Sequence, residues 1–142
     1  MNKPIKLILL ASFALTGCTA INVKPIDSTA ELLHVCIQEN HKVQVRDFVS
    51  VVQAGFERHG ISTELVSGAL PLHCEYVLTY SARRSWDFTP YLSQADLQLR
   101  RSGRQVASAE YHLRGKGGLA LNKWAGTKSK IDPVIDKLLG GR

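Results

Sequence analysis

From Glu75 to Ser85 and again from Ser93 to Leu113 the chain alternates with a period of two, and that alternation restricts the fold more than any other feature of the sequence. Tyr76, Leu78 and Tyr80 face one way, against Val77, Thr79 and Ser81. Ala95, Leu97 and Leu99 repeat the pattern, as do Ala107, Ala109, Tyr111 and Leu113. Strands that are apolar on one side and polar on the other make an antiparallel sheet with one wet face, and the dry face must be covered. A three-residue loop, Arg101-Ser102-Gly103 with Gly103 left-handed, sets Leu97 opposite Ala107 and Ala95 opposite Ala109, because a one-residue slip would turn one row to water.

Two segments have the helical stripe that can supply the cover. Val45, Phe48, Val49, Val52 and Phe56 recur at helical spacing, so a helix is expected from about Val43 to His59, capped by Asn40 and ended by Gly60. Ile131, Val134, Ile135, Leu138 and Leu139 mark a second. Ser129 and Asp132 can cap its start, which puts Pro133 in the first turn; alternatively Pro133 kinks a helix begun near Lys123. Leu32–Gln38 reads as a strand with Leu33, Val35 and Ile37 on one face and His34 and Cys36 on the other. Ile61–Val66 reads as another, followed by a loop over 67–72. The expected fold is α+β: a mixed, mostly antiparallel sheet of four to five strands with two helices packed on one face.

The amino terminus carries an address. Lys3 and Lys6 precede an apolar run from Leu7 to Leu15 that is half the length needed to span a bilayer, and Leu15-Thr16-Gly17 runs directly into Cys18. Those four residues resemble the bacterial lipobox. The resemblance implies that residues 1–17 are a lipoprotein signal peptide, that Cys18 is the lipidated first residue of the mature chain, and that its acyl chains hold the protein to a membrane. Thr19 stands where an aspartate would mark inner-membrane retention, so the implied location is the outer membrane, facing the periplasm. Residues 18–30 then read as the lipidated terminus and tether, in which Ile21, Val23 and Ile26 could form a short strand, and 31–142 as one periplasmic domain.

Of 142 residues, 125 remain after the signal, enough for one core. The formal charge of +6 falls to about +4 without Lys3 and Lys6, an ordinary solvated surface. Nucleic acid is excluded as a partner by the address. Cys36 and Cys74 are the two remaining cysteines, and in an oxidising compartment they are expected to pair. Closing a loop of that length stabilises the fold by roughly 4 kcal/mol. His34 and His73 flank the same cysteines, so a thiolate–imidazole metal site from His34, Cys36, His73 and Cys74 is the competing reading. Neither spacing matches a zinc pattern, and no metal or other cofactor is expected.

The sequence offers no nucleophile elbow, no two-histidine zinc helix and no phosphate loop, and the five histidines stand apart from serines and carboxylates that could form a triad. Gly115-Lys116-Gly117-Gly118 lacks Walker spacing and reads as a turn. No enzyme is expected. What stands out is Arg83-Arg84-Ser85-Trp86-Asp87-Phe88-Thr89-Pro90-Tyr91, where two arginines lead into three aromatics. Arginine and aromatics dominate binding hot spots, which makes Arg83, Arg84, Trp86, Phe88 and Tyr91 a candidate protein-binding loop. The other reading is that these rings fold back to plug one end of the sheet. Trp124 raises the same question.

Arg46-Asp47-Phe48, Gly55-Phe56, His59-Gly60-Ile61, Glu75-Tyr76-Val77-Leu78 and Ser85-Trp86-Asp87, taken with Cys18, resemble a family of small proteobacterial lipoproteins over nearly the whole mature chain. That resemblance implies an envelope address and this fold, and it carries no activity with it. The element order is more distantly similar to the periplasmic domains of lipoproteins that activate peptidoglycan synthases or build the curli export pore. The functional expectation is a non-enzymatic, membrane-anchored envelope lipoprotein that binds another envelope protein as adaptor or regulator. The alternative is a carrier of a small ligand, a lipid or a metal.

Overall fold

A computed structural model describes residues 19–114 and 121–141. Cys18 and the signal before it, like the expected turn over 115–118, lie outside the described residues. Six strands form one sheet: β1 (Thr19–Lys24), β2 (His34–Gln38), β3 (Ser62–Val66), β4 (Tyr76–Asp87), β5 (Thr89–Arg101) and β6 (Arg104–Leu113), in the order β1-β6-β5-β4-β2-β3. The strands β2, β3 and β4 run parallel and every other pairing is antiparallel, which makes the sheet mixed. The count of six corrects the expected four to five. The added strand is β1, which lies in the stretch expected as a tether. It pairs along its whole length with β6, from Thr19 opposite Leu113 to Lys24 opposite Ser108, with Ile21 and Val23 packed on the core.

Helices α1 (Phe48–Arg58) and α2 (Thr127–Leu138) contribute the buried stripes Phe48, Val52, Phe56 and Ile131, Val134, Ile135, Leu138. Against them lie Tyr76, Leu78, Tyr80, Leu97, Leu99, Ala107, Ala109 and Tyr111, all buried, on the dry side of the sheet. Each fully buried large side chain there stabilises the fold by about 1.5–3 kcal/mol. The helices meet where α1 carries Gly55, because a Cβ at that position would overlap Ile135 Cδ1. None of the described helices is long and apolar enough to cross a membrane.

Both helices end in the same way. Gly60 (φ +74°) follows α1, with Gly60 N–H donating to Glu57 O and Ile61 N–H to Phe56 O. Gly140 (φ +69°) follows α2, with Gly140 N–H bonded to Lys137 O and Gly141 N–H to Asp136 O. These are paired Schellman bonds, and they need a left-handed residue that glycine adopts without cost.

The helix starts differ from the sequence reading. α1 begins five residues later than Val43: Asn40 Oδ1 accepts from Lys42 N–H at 3.1 Å in a local turn, while its N–H donates to Tyr80 Oη at 3.1 Å and its side-chain amide to Tyr80 O at 2.9 Å. α2 begins at Thr127 after a 3₁₀ turn over Leu121–Trp124, and Pro133 sits in its interior on the exposed side. Ser129 caps nothing; its hydroxyl donates back to Gly126 O. Leu33 precedes β2 and is exposed, so Leu32 takes the buried place expected for it.

The β5–β6 register also differs, for an instructive reason. The turn is two residues, Ser102 (φ +49°) and Gly103 (φ +76°), with Arg101 opposite Arg104. Two left-handed residues are the requirement of a tight hairpin turn. Continued unchanged, that register would have put the apolar rows on opposite faces. Val106 is the extra residue of a bulge, after which Leu99 faces Ala107, Leu97 faces Ala109 and Ala95 faces Tyr111. The expected pairs are displaced by two residues, and both rows stay on the dry side.

Candidate functional site

β4 and β5 run on well past the rest of the sheet. Arg83 is opposite Gln94, where the register shifts, and pairing then continues through Arg84–Leu92, Ser85–Tyr91 and Trp86–Pro90 to Asp87–Thr89. The segment expected as a loop is therefore the tip of a long hairpin, with Phe88 alone between the strands. Phe88 has φ +61°, a left-handed conformation that a bulky side chain rarely adopts. It is 88% exposed and Trp86 is 72% exposed, so these two rings do not plug the sheet.

The tip is held from beside it by the 3₁₀ turn. Trp124 Nε1–H donates to Asp87 O at 2.9 Å, and the Lys123 ammonium pairs with the Asp87 carboxylate. That ammonium also lies 4.4 Å from the centre of the Trp124 ring. The ring of Phe88 stands 6.4 Å from that of Trp124. Leu121, at the start of the same 3₁₀ turn, is 82% exposed. The sequence singled out Trp124 without joining it to the tip; Lys123 it did not reveal, because Asp87 lies 36 residues away.

The arginines stand at the base of this extension. Arg83 and Arg84 are both exposed; the Arg83 carbonyl accepts from Ser93 Oγ, and Arg84 Nη2 donates to Gln44 Oε1 at 3.1 Å. Tyr91 does not join the exposed set. At 6% exposure it belongs to the core, 5.4 Å beneath the Lys130 ammonium. Tyr91 packs inward because β5 turns its side chain under α2 just as the hairpin leaves the sheet. Lys130 Nζ donates to the carbonyls of Leu92 and Lys123, and burial pulls its pKa below the usual lysine range. Between the hairpin base and the two helix starts is an open cleft of about 380 Å³, lined by Gln44, Arg84, Pro90, Tyr91, Trp124 and Thr127 among others.

Cys36 and Cys74 form a disulfide, with Cα atoms 5.6 Å apart. The thiolate site is thereby removed, since a disulfide sulfur carries no charge for a metal. On the wet face beside it, His34, Glu64 and His73 come together: His73 Nε2 is 2.8 Å and His34 Nε2 3.5 Å from Glu64 Oε2. The His73 hydrogen bond is the main reason that the Glu64 carboxyl sits below the usual range. A second polar group ties the helix ends. Asp136 accepts from His59 Nε2 at 2.7 Å and from Arg58, and these bonds, the histidine's first, hold its pKa down. It joins α1 to α2 and contains no nucleophile.

No family model matches the chain, and no curated protein matches it in sequence. Solved structures do match its fold. A PelC dodecamer from Paraburkholderia phytofirmans in space group P6 is similar with a TM-score of 0.56 and 16% identity, over 86% of this chain and 97% of that one. A PelC dodecamer carrying one leucine-to-methionine substitution, from the same organism in space group C2, gives 0.54 and 15%, over 82% and 96%. At such identity the likeness is one of fold.

Proposed function

We propose that this chain is a lipid-anchored protein of the cell envelope that performs no catalysis and acts as a protein-binding module, an adaptor or regulator, through the tip of the β4–β5 hairpin. The observation that carries the reading is the exposure of Trp86 and Phe88 on a tip fastened by Lys123 and Trp124. Rings presented in a fixed arrangement lose little entropy on binding, and aromatics with neighbouring arginine make the strongest contacts at interfaces. The anchor is Cys18, and the location that follows from Thr19 is the periplasmic side of the outer membrane.

A second reading rests on direction. Thr19 pairs with Leu113, and His112 with Gln94, so β1 begins at the end of the sheet from which the hairpin projects. The tip extends roughly 15 Å further at the rise of an antiparallel strand. Rings and arginines on the anchored side suit the headgroup layer of the bilayer itself. A third possibility for the partner is the chain's own copies, in keeping with the dodecamers of the fold neighbours.

A photocrosslinking residue at position 86 of the native protein, followed by mass spectrometry, tests the proposal. Capture of one abundant envelope protein supports the module, and capture of the chain itself supports assembly. Capture of lipid alone overturns the protein-binding reading in favour of the membrane.

A further inference from the structure

We propose that His34, Glu64 and His73 form a binding site for a borderline divalent metal ion of the Zn²⁺ type, on the wet face of the sheet and independent of the hairpin tip. The three side chains come from different segments. β2 and β3 are parallel and in register, with Cys36 opposite Glu64 and His34 opposite Ser62, so Glu64 stands diagonally across from His34 on the same face. His73 arrives from the loop after β3. Its position is set by the next residue, because Cys74 is bonded to Cys36, two residues along β2 from His34. The disulfide that abolishes a thiolate site therefore assembles an imidazole–carboxylate one.

The hydrogen bonds on His34 prepare it as a ligand. Ser62 Oγ donates to Leu33 O at 3.1 Å, so the same hydroxyl accepts from His34 Nδ1–H at 2.8 Å. A neutral His34 then keeps its proton on Nδ1 and turns a bare Nε2 lone pair toward Glu64 Oε2, 3.5 Å away. Two acceptors facing each other repel unless a proton or a metal cation lies between them. A hydrogen bond from a second shell to the far ring nitrogen is the usual way in which a metal-binding imidazole is oriented. His73 offers Nε2 to the same carboxylate oxygen at 2.8 Å, and becomes a ligand when its proton moves to Nδ1.

The spacing fits. Ligands 2.0–2.1 Å from a tetrahedral ion stand about 3.3 Å from one another, between the two separations found here. The donor atoms of His34, Glu64 and His73 lie within 4.8 Å of one another, so small side-chain rotations close the set. Two imidazoles and one carboxylate select zinc-like ions over Mg²⁺, which prefers oxygen throughout. Three protein ligands leave a fourth position for water or for a group on a partner.

Equilibrium dialysis of Zn²⁺ against protein isolated from the envelope without reductant tests the site. One Zn²⁺ per chain is expected, retained against a large excess of Mg²⁺. His73→Ala and Glu64→Gln should each weaken it at least tenfold and Ser62→Ala about tenfold, with His41→Ala unchanged. Unchanged binding in His73→Ala, or displacement by Mg²⁺, overturns the site. Should a variant fail to fold, X-ray absorption of the zinc-loaded wild-type protein decides. Nitrogen and oxygen at about 2.0–2.1 Å with imidazole scattering support the proposal, and a sulfur shell at about 2.3 Å overturns it.

Discussion

The strand β5 takes part in two hairpins, one at each end, and they are closed by opposite means. At one end Ser102 and Gly103 turn the chain with small residues in left-handed conformations between Arg101 and Arg104, and no large apolar side chain is displayed. At the other the left-handed position is filled by Phe88, with Trp86 exposed beside it, and the strain is held by contacts to the 3₁₀ turn. The first turn is what hairpin closure alone asks for. The second keeps an unfavourable backbone and two wet rings, an arrangement that hairpin closure does not explain and that motivates the proposal of this end as the binding one.

That contrast can be broken in several ways. Trp86→Ala combined with Phe88→Ala should lower affinity for the captured partner about a hundredfold, as expected for two hot-spot rings. Ser102→Ala with Arg104→Ala should leave it within twofold, and equal losses at the two ends would erase the distinction. Next in size is Gly103→Val, which places a branched side chain at φ +76° and should destabilise the fold by about 2 kcal/mol in urea unfolding. Phe88→Gly should do the reverse, stabilising by up to about 1 kcal/mol while reducing binding. A loss of stability instead would mean that the ring's packing near Trp124 outweighs the strain.

Smaller effects test the fastening of the tip. Trp124→Phe removes the donor to Asp87 O and should cost about 0.5–1 kcal/mol, with faster amide exchange at 86–89 and none at 101–104. Between the two ends lies Tyr111, whose phenol is pushed up to about 12 by burial. The folded state thus favours the neutral phenol. Its contribution is fully present below pH 10 and is lost as pH rises from 10 through about 12. Tyr111→Phe should therefore flatten the alkaline limb of a stability–pH curve and leave its acid limb unchanged.

How far the sequence disclosed all this depended on whether a residue's partners were near it in the chain. The dry rows of β4, β5 and β6 follow from alternation, and the disulfide from having two cysteines in an oxidising compartment. β1 was hard to see because its pairing is with β6, some ninety residues away, and because its alternation of Ile21 and Val23 with Asn22 and Lys24 is short and ends at Pro25. The bulge at Val106 is invisible to periodicity, since a two-residue turn and one extra residue together restore the same face. Trp86 and Phe88 were visible as composition, but their exposure was not, because it rests on Asp87 meeting Lys123 and Trp124. The cluster of His34, Glu64 and His73 shows no motif spacing at all; it exists through the register of two parallel strands and one covalent link.

Strand β1 starts at Thr19, the residue after the proposed lipid site. A flexible leash would let a domain search a volume that grows with the length of the linker, but here almost no leash is left. On the proposed anchoring at Cys18, the body would stand on the bilayer more as a post than as a buoy. Its longest strand, the thirteen residues of β5, measures about 43 Å. On that proposal, whatever the protein touches must come within that height of the membrane, which suits partners embedded in or lying on the same bilayer rather than a bridge across the envelope.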